Sequence, residues 1–361
     1  MTDLLSPLAF TCGQTMPNRF MLAPLTNCQS HADGTLSDDE YTWLTMRAKG
    51  GFGLTMTCAS HVQAVGQGFP GQLGIWDDKH IPGLMRLADG IKQHHSAALV
   101  QLHHAGMRSS LVKDLIDGPP VCPSDNERSG ARGLTLAETQ QLVEDFVRGA
   151  ERAEAAGFDG VELHGAHGYI LCQYFSASIN HRDDAYGGDV EGRFRILFEI
   201  IEGIRARCRK DFVLGVRLSP ERFGMQLGEV LGVAGKLLKD SRVDFLDMSL
   251  WDCFKEPEEG EFKGKTLADY FAALERGSVK LGAAGQIQTP QEAERLMDLG
   301  YDYVMLGRAA MWNHDFPQRY AQDRTFTPAS PPLTPAQLGA EGISPTFVTY
   351  IKSNWPQYVA D

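Results

Sequence analysis

The sequence predicts an α/β fold: a (β/α)8 TIM barrel, single-domain, with extended βα loops and a C-terminal tail. Three observations carry this. Eight short apolar runs alternate with helical patterns between residues 19 and 317. Runs such as SAALVQLH at Ser96–His103 do not alternate polar with apolar, as expected of a strand covered on both faces. No GxGxxG follows an early strand, whereas a doubly wound sheet needs fewer strands and usually that glycine-rich first turn.

Taken in order, residues 4–18 are a lead-in, read as a hairpin under the barrel floor. Arg19–Thr26 is the first strand, ending in Pro24, and Asn27–Thr35 is a polar loop. Ser37-Asp38-Asp39-Glu40 is a capping-box pattern opening a helix to about Lys49, stopped by Gly50-Gly51. Leu54–Ser60 is the second strand. The following loop carries Gly66, Gly68, Pro70, Gly71 and Gly74, which forbid a regular element. His80–His94 is a helix and Ser96–His103 the third strand. Ala105–Leu134 is a long irregular segment, and a loop of that length inside a compact domain is usually functional.

Leu136–Ala156 is an amphipathic helix with Gly157 as its stop. Val161–Leu163 is the fourth strand, followed by a break over Gly165–Tyr169, a second loop run over Ser176–Gly188 and a helix over Gly192–Cys208. Phe212–Leu218 is the fifth strand, Leu227–Asp240 a helix and Val243–Met248 the sixth strand. After an acidic loop come the helix Thr266–Glu275 and the strand Val279–Ala284. Thr289–Leu299 is a helix with Pro290 in its first turn, and Tyr303–Gly307 is the eighth strand. The eighth helix starts at Ala309 and ends near Phe316-Pro317. Residues 1–325 make the barrel. Residues 326–361 are a proline-rich connector and an aromatic tail with Phe347, Tyr350, Trp355 and Tyr358, read either as a strap on its own barrel or as a homo-oligomer contact.

Composition narrows the function. Forty-six acidic residues against 34 basic give a net charge of −12, which argues against nucleic acid as a partner. No run approaches the roughly 20 apolar residues that span a bilayer, and the N-terminus lacks a signal pattern, so a cytoplasmic protein without a membrane partner is expected. The seven cysteines form no CxxC and fit a reducing compartment.

In a barrel of this kind the chemistry lies at the C-terminal strand ends. These supply Pro24, Leu25 and Thr26; Ala59; Gln101 and His103; His164, His167 and Tyr169; Arg217; Ala284 and Gly285; and Gly307 with Arg308. The set lacks the carboxylate cluster of a divalent-metal site. HxxH has metal-ligand spacing but no evident third ligand, so no metal is expected. Small residues at strands seven and eight suit a phosphate held by backbone N–H groups. The pattern asks for a flat, hydrogen-bonding cofactor with a phosphate tail.

Two blocks carry a resemblance. One is His164-Gly165-Ala166-His167-Gly168-Tyr169; the other runs from Ser178 through Asn180, Arg182, Asp184 and Tyr186 to Gly187-Gly188. Together they resemble the H-x-x-[HN]-G-Y and S-x-x-x-N-x-R-x-D-x-Y-G-G blocks of the Old Yellow Enzyme family of flavin-dependent ene-reductases, with the serine slightly displaced. Asn18-Arg19, Leu73-Gly74-Ile75-Trp76, Gln101-Leu102-His103, Ala105-Gly106 and Gly307-Arg308 extend the likeness over residues 4–325.

The resemblance implies non-covalent FMN across the barrel mouth and NADPH or NADH as reductant. Pro24, Leu25 and Thr26 match the segment whose last residue faces flavin O4 and N5. Ala59 matches the small residue beside the ring, and Gln101 the amide on the pyrimidine edge. Arg217 matches the cation near N1 and O2, and Gly285, Gly307 and Arg308 match the phosphate-binding elements. His164 and His167 match the pair that binds the substrate's activating oxygen, and Tyr169 the proton donor to its α-carbon. The implied activity is reduction of activated C=C bonds in enones, enals, maleimides and nitroalkenes. His103 is read as structural.

The chain departs from the pattern in four places. Cys28 stands where some relatives have an aromatic residue. HHAGMRSS replaces the commoner HxGR, so the arginine is displaced. Strand seven ends AAGQ, and the loop after strand six is individual. The competing readings are a flavin-dependent demethylase or dehydrogenase of a small amine, and a non-catalytic flavin-binding protein.

Overall fold

The computed structural model describes residues 2–112 and 114–360. Eight parallel strands close into a barrel: β1 (Phe20–Leu22), β2 (Leu54–His61), β3 (Ala97–His103), β4 (Gly160–Gly165), β5 (Val213–Leu218), β6 (Phe245–Ser249), β7 (Lys280–Ala284) and β8 (Tyr303–Leu306), with β8 pairing back to β1. Around them lie α1 (Asp38–Lys49), α2 (Ile81–Lys92), α3 (Leu136–Ala155), α4 (Val190–Arg207), α5 (Leu227–Leu237), α6 (Leu267–Ala272), α7 (Pro290–Asp298) and α8 (Phe316–Gln322). The expected fold class is the observed one.

Strand side chains alternate between the two faces of a sheet, so every second residue enters the barrel. The lower interior is apolar. Met21, Leu54, Leu99, Val213, Phe245 and Tyr303 pack there with Leu8, Phe10 and Met16 of a short antiparallel hairpin, Leu8–Ala9 with Thr15–Met16, which closes the floor. Gly282 is required here: a Cβ on it would lie 2.0 Å from the Tyr303 ring. The same alternation carries polar residues into the upper interior. Gln101 is level with Glu162, and His164 and Asp247 each pair with Arg217. A second, larger core lies between strands and helices.

Several local expectations change. β1 stops at Leu22, because Pro24 has no N–H with which to extend the ladder. Ser37 caps α1 by accepting from the Glu40 N–H, but the reciprocal half of the box is missing: the buried Glu40 carboxylate accepts from Asn27 and Ser30 instead. Between Tyr169 and the loop run that begins at Ser176 lies a buried helix, Ile170–Phe175, which the sequence pattern does not predict. The eighth helix is broken into Arg308–Met311 and α8. Pro317, read as a stop, lies in the first turn of α8, where a missing N–H costs nothing.

The tail contains α9 (Pro335–Ala340) and α10 (Pro345–Asn354), each opened by a side-chain cap, Thr334 or Ser344, with proline in the first turn. Leu338, Phe347 and Ile351 are buried, and the Phe347 ring meets Trp43 of α1 edge-on at 5.1 Å. The tail is therefore a strap on its own barrel. Among the described residues, no helix is long and apolar enough to cross a membrane.

Candidate active site

The twelve residues expected at the site line one cavity of about 560 Å³ at the C-terminal mouth of the barrel. That is within the range of roughly 300–1,000 Å³ typical of small-ligand sites.

β4 supplies His164 at its end. His167 (φ +61°) and Gly168 (φ +72°) then turn the chain through two left-handed residues. Glycine is the residue that adopts this conformation without penalty. The reversal returns His167 and Tyr169 to the cavity. The His164 ring lies 5.0 Å from that of His167 and 5.2 Å from that of Tyr169. The Ser219 hydroxyl accepts the His167 backbone N–H at 3.0 Å, and the His167 Nε2 is 2.7 Å from Ser249 Oγ. Burial, with the Arg217 and Arg108 charges, pushes His167 down to about 3, and burial with His167 lowers His164 well below the ordinary imidazole value. Both rings are neutral at physiological pH. Burial raises the Tyr169 phenol, so it keeps its proton. His103 is buried, held at Nδ1 by Gln72 at 3.0 Å, and packs edge-on to Tyr169 at 4.4 Å, a buttress rather than a cavity residue.

Below these groups lies a polar layer. Gln101 donates Nε2–H to Glu162 at 2.7 Å, and Arg217 Nε lies 3.0 Å from Asp247 without hydrogen-bond alignment. Arg217 Nη1 is buried with no partner, and Nη2 approaches Ser249 Oγ at 3.4 Å. Burial and the Asp247 charge raise Glu162. Burial raises Asp247 too, against the pull of Arg217. Sequence reasoning found Gln101 and Arg217 but missed Glu162, Asp247 and Ser249. Alternation along FLDMS places Phe245, Asp247 and Ser249 on the inward face and was the available signal.

At the opposite end, Gly285, Gly307 and Arg308 line the cavity beside the tail. Arg308 donates Nη1–H to the Tyr358 hydroxyl at 2.8 Å. Tyr350 and Trp355 complete this wall, with the Tyr350 phenol pushed up to about 12 by burial. Arg108, Phe223 and Trp251 also line the cavity and were not anticipated. Cys28 is not among the lining residues. The second sequence block is architectural: the Asn180 amide donates to the Tyr174 and Tyr186 carbonyls, each at 2.7 Å, and Arg182 pairs with Asp184. Among the described residues no three His, Cys, Asp or Glu side chains are grouped to hold a metal.

Comparison with known proteins identifies the family. The sequence profile of the NADH:flavin oxidoreductase / NADH oxidase family matches residues 3–326. A probable NADH-dependent flavin oxidoreductase of Bacillus subtilis (strain 168) is 34 % identical over 314 residues, 84 % of each chain. An NADPH dehydrogenase of Bacillus licheniformis is 33 % identical, covering 86 % of this chain and 91 % of its own. Among solved structures, an Old Yellow Enzyme homologue from Zymomonas mobilis superposes with a TM-score of 0.77 at 28 % identity, covering 91 % of this chain and 94 % of its own. Morphinone reductase gives 0.76 at 26 %, covering 93 % and 92 %. The chain belongs to the NADH:flavin oxidoreductase / NADH oxidase family, the family of Old Yellow Enzyme.

Proposed function

We propose that the protein is an FMN-dependent NAD(P)H oxidoreductase that reduces activated C=C bonds of small molecules. The observation that carries this is the convergence in one cavity of two neutral imidazoles, a protonated phenol and a cationic floor.

The residues present fit FMN. The unpartnered Arg217 Nη1 is a cation at the floor, and Gln101 presents an amide that gives only one of its two N–H groups to Glu162. Pro24, Leu25, Thr26 and Ala59 give a wall for a flat ring, while Gly285, Gly307 and Arg308 would take its phosphate. When bound, FMN supplies hydride transfer to and from carbon.

The chain's own residues supply binding, polarisation and a proton. A neutral imidazole donates one N–H, so His164 and His167 hold a carbonyl or nitro oxygen and stabilise the negative charge that develops on it. Ser249 links His167 to Arg217 and so joins substrate polarisation to the floor. Tyr169 delivers its phenolic proton to the α-carbon. The first test is anaerobic. Purified protein should release FMN on denaturation, be bleached by NADH or NADPH, and be reoxidised by cyclohexenone. Reoxidation by none of a panel of enones and nitroalkenes, with bleaching by a small amine, would replace this reading with oxidative amine chemistry.

A further inference from the structure

We infer that Arg108 determines substrate specificity by binding a carboxylate, so that the substrates are activated alkenes bearing an anionic substituent. This rests on the alkene-reduction reading above.

Arg108 is a departure of this chain. Where the resembling pattern places arginine directly after Gly106, Met107 stands here and the arginine comes one place later. On the Gly106–Val112 segment, Arg108 lines the cavity with its guanidinium 5.0 Å above the Tyr169 ring. Its Nη1 donates to the His167 carbonyl at 2.9 Å. One N–H thus anchors the group to the loop that carries both His167 and Tyr169. The other donors of its planar fork stay available, and that fork matches a carboxylate bidentately.

The charge balance makes the point sharper. The protein has 46 acidic side chains against 34 basic. Arg217 is matched by Asp247 at 3.0 Å, and Arg308 sits beyond it with Tyr358. Among the described residues no carboxylate lies within ion-pair distance of Arg108, although it is partly buried. The substrate end of the cavity therefore holds an uncompensated cation beside the groups that polarise and protonate the substrate. An anion there meets a low-dielectric, pre-placed partner. Two anions reach this cavity, a carboxylate on the alkene and the phosphates of the nicotinamide reductant, and the experiment separates them.

The FMN-loaded wild type, Arg108→Gln and Arg108→Lys are compared with trans-4-oxopent-2-enoate and its methyl ester, which share one ketone-activated alkene. Losing a charged hydrogen bond to the carboxylate should lower the acid-to-ester ratio of kcat/KM by roughly 10- to 100-fold in Arg108→Gln. Arg108→Lys, which keeps the charge, should retain much of the ratio. Equal falls for acid and ester would show that Arg108 acts through Tyr169 and overturn the assignment. Slower reduction by NAD(P)H with an unchanged ratio would assign it to the reductant's phosphate and also overturn it. Calorimetric binding of the saturated acid, 4-oxopentanoate, and its methyl ester needs no turnover. Should neither alkene reoxidise the wild type, the alkene reading fails by itself. The binding arm still decides Arg108: a carboxylate preference lost in Arg108→Gln supports it, and equal preference overturns it.

Discussion

Arg217 stands between two demands. It must neutralise a buried carboxylate and still present positive charge to the cavity. Asp247 is fully buried 3.0 Å from it, and Glu162 lies in the same layer. Arg217→Ala therefore strands Asp247. The expected loss is about 3–5 kcal/mol of stability, the usual cost of breaking a buried pair by removing one partner, measured by chemical denaturation. FMN retention and the midpoint potential should fall with it, and an unchanged potential in fully loaded protein would remove Arg217 from the floor. The histidines allow a second check. His167 is held to about 3 and His164 is also lowered, so neither changes charge near the ordinary value of about 6.5. The imidazole signals of His164 and His167, followed by NMR, should not titrate between about pH 5.5 and 8, and a midpoint near 6.5 for either would mean that its ring takes up a proton there.

At the scale of elements, the turn after β4 was legible because glycines interrupt His164, His167 and Tyr169 just past a strand end, and glycine permits a sharp reversal there. The polar layer was not. Asp247 and Glu162 lie inside strands that read as apolar, and only their inward register reveals them. The tail was legible as aromatic but not as cavity wall, because nothing in local sequence says which residues of α10 and its continuation face β8. Tyr358 gives this wall a testable role. Its backbone carbonyl accepts from the Leu333 N–H at 3.1 Å, and its hydroxyl holds Arg308. Tyr358→Phe should weaken FMN binding to flavin-free protein about 3- to 10-fold, the scale of one lost hydrogen bond, and leave riboflavin, which lacks the phosphate, unchanged. Equal losses for both ligands would mean that the tail only packs. The broken eighth helix has a plain cause as well: proline ends a helix from within and begins one from its first turn, and sequence alone does not say which.

The whole molecule was the easiest scale to read. Eight strand–helix periods leave few topologies, and glycine- and proline-rich loops mark the mouth. Its burial of histidine has a global consequence. Burial is the leading cause that lowers His61, His80, His103, His104, His164 and His167. Above about 6.5 these rings are neutral in both states and cost nothing. Below it the unfolded chain takes up protons that the folded chain refuses, so stability falls with pH by up to about 1.4 kcal/mol per unit for each ring. The raised carboxyls of Glu40, Glu162 and Asp247 work in the opposite direction, losing stability as pH rises, but they are fewer. The flavin-free protein should unfold at a lower temperature at pH 5.5 than at pH 7.5, and an equal or higher midpoint would contradict the burial of these rings.

The central claim is that Tyr169 gives a proton to carbon in the oxidative half-reaction only. Stopped-flow traces of Tyr169→Phe test it most directly. Reduction by NAD(P)H should proceed at close to the wild-type rate, because no proton passes to carbon in that step. Reoxidation by an enone should slow by roughly 10²–10⁴-fold, the range expected for a lost general acid. A nitroalkene should still be reduced, since its nitronate product needs no immediate proton. Equal slowing of both half-reactions would make Tyr169 a positioning group, and no slowing of either would place the proton donor elsewhere.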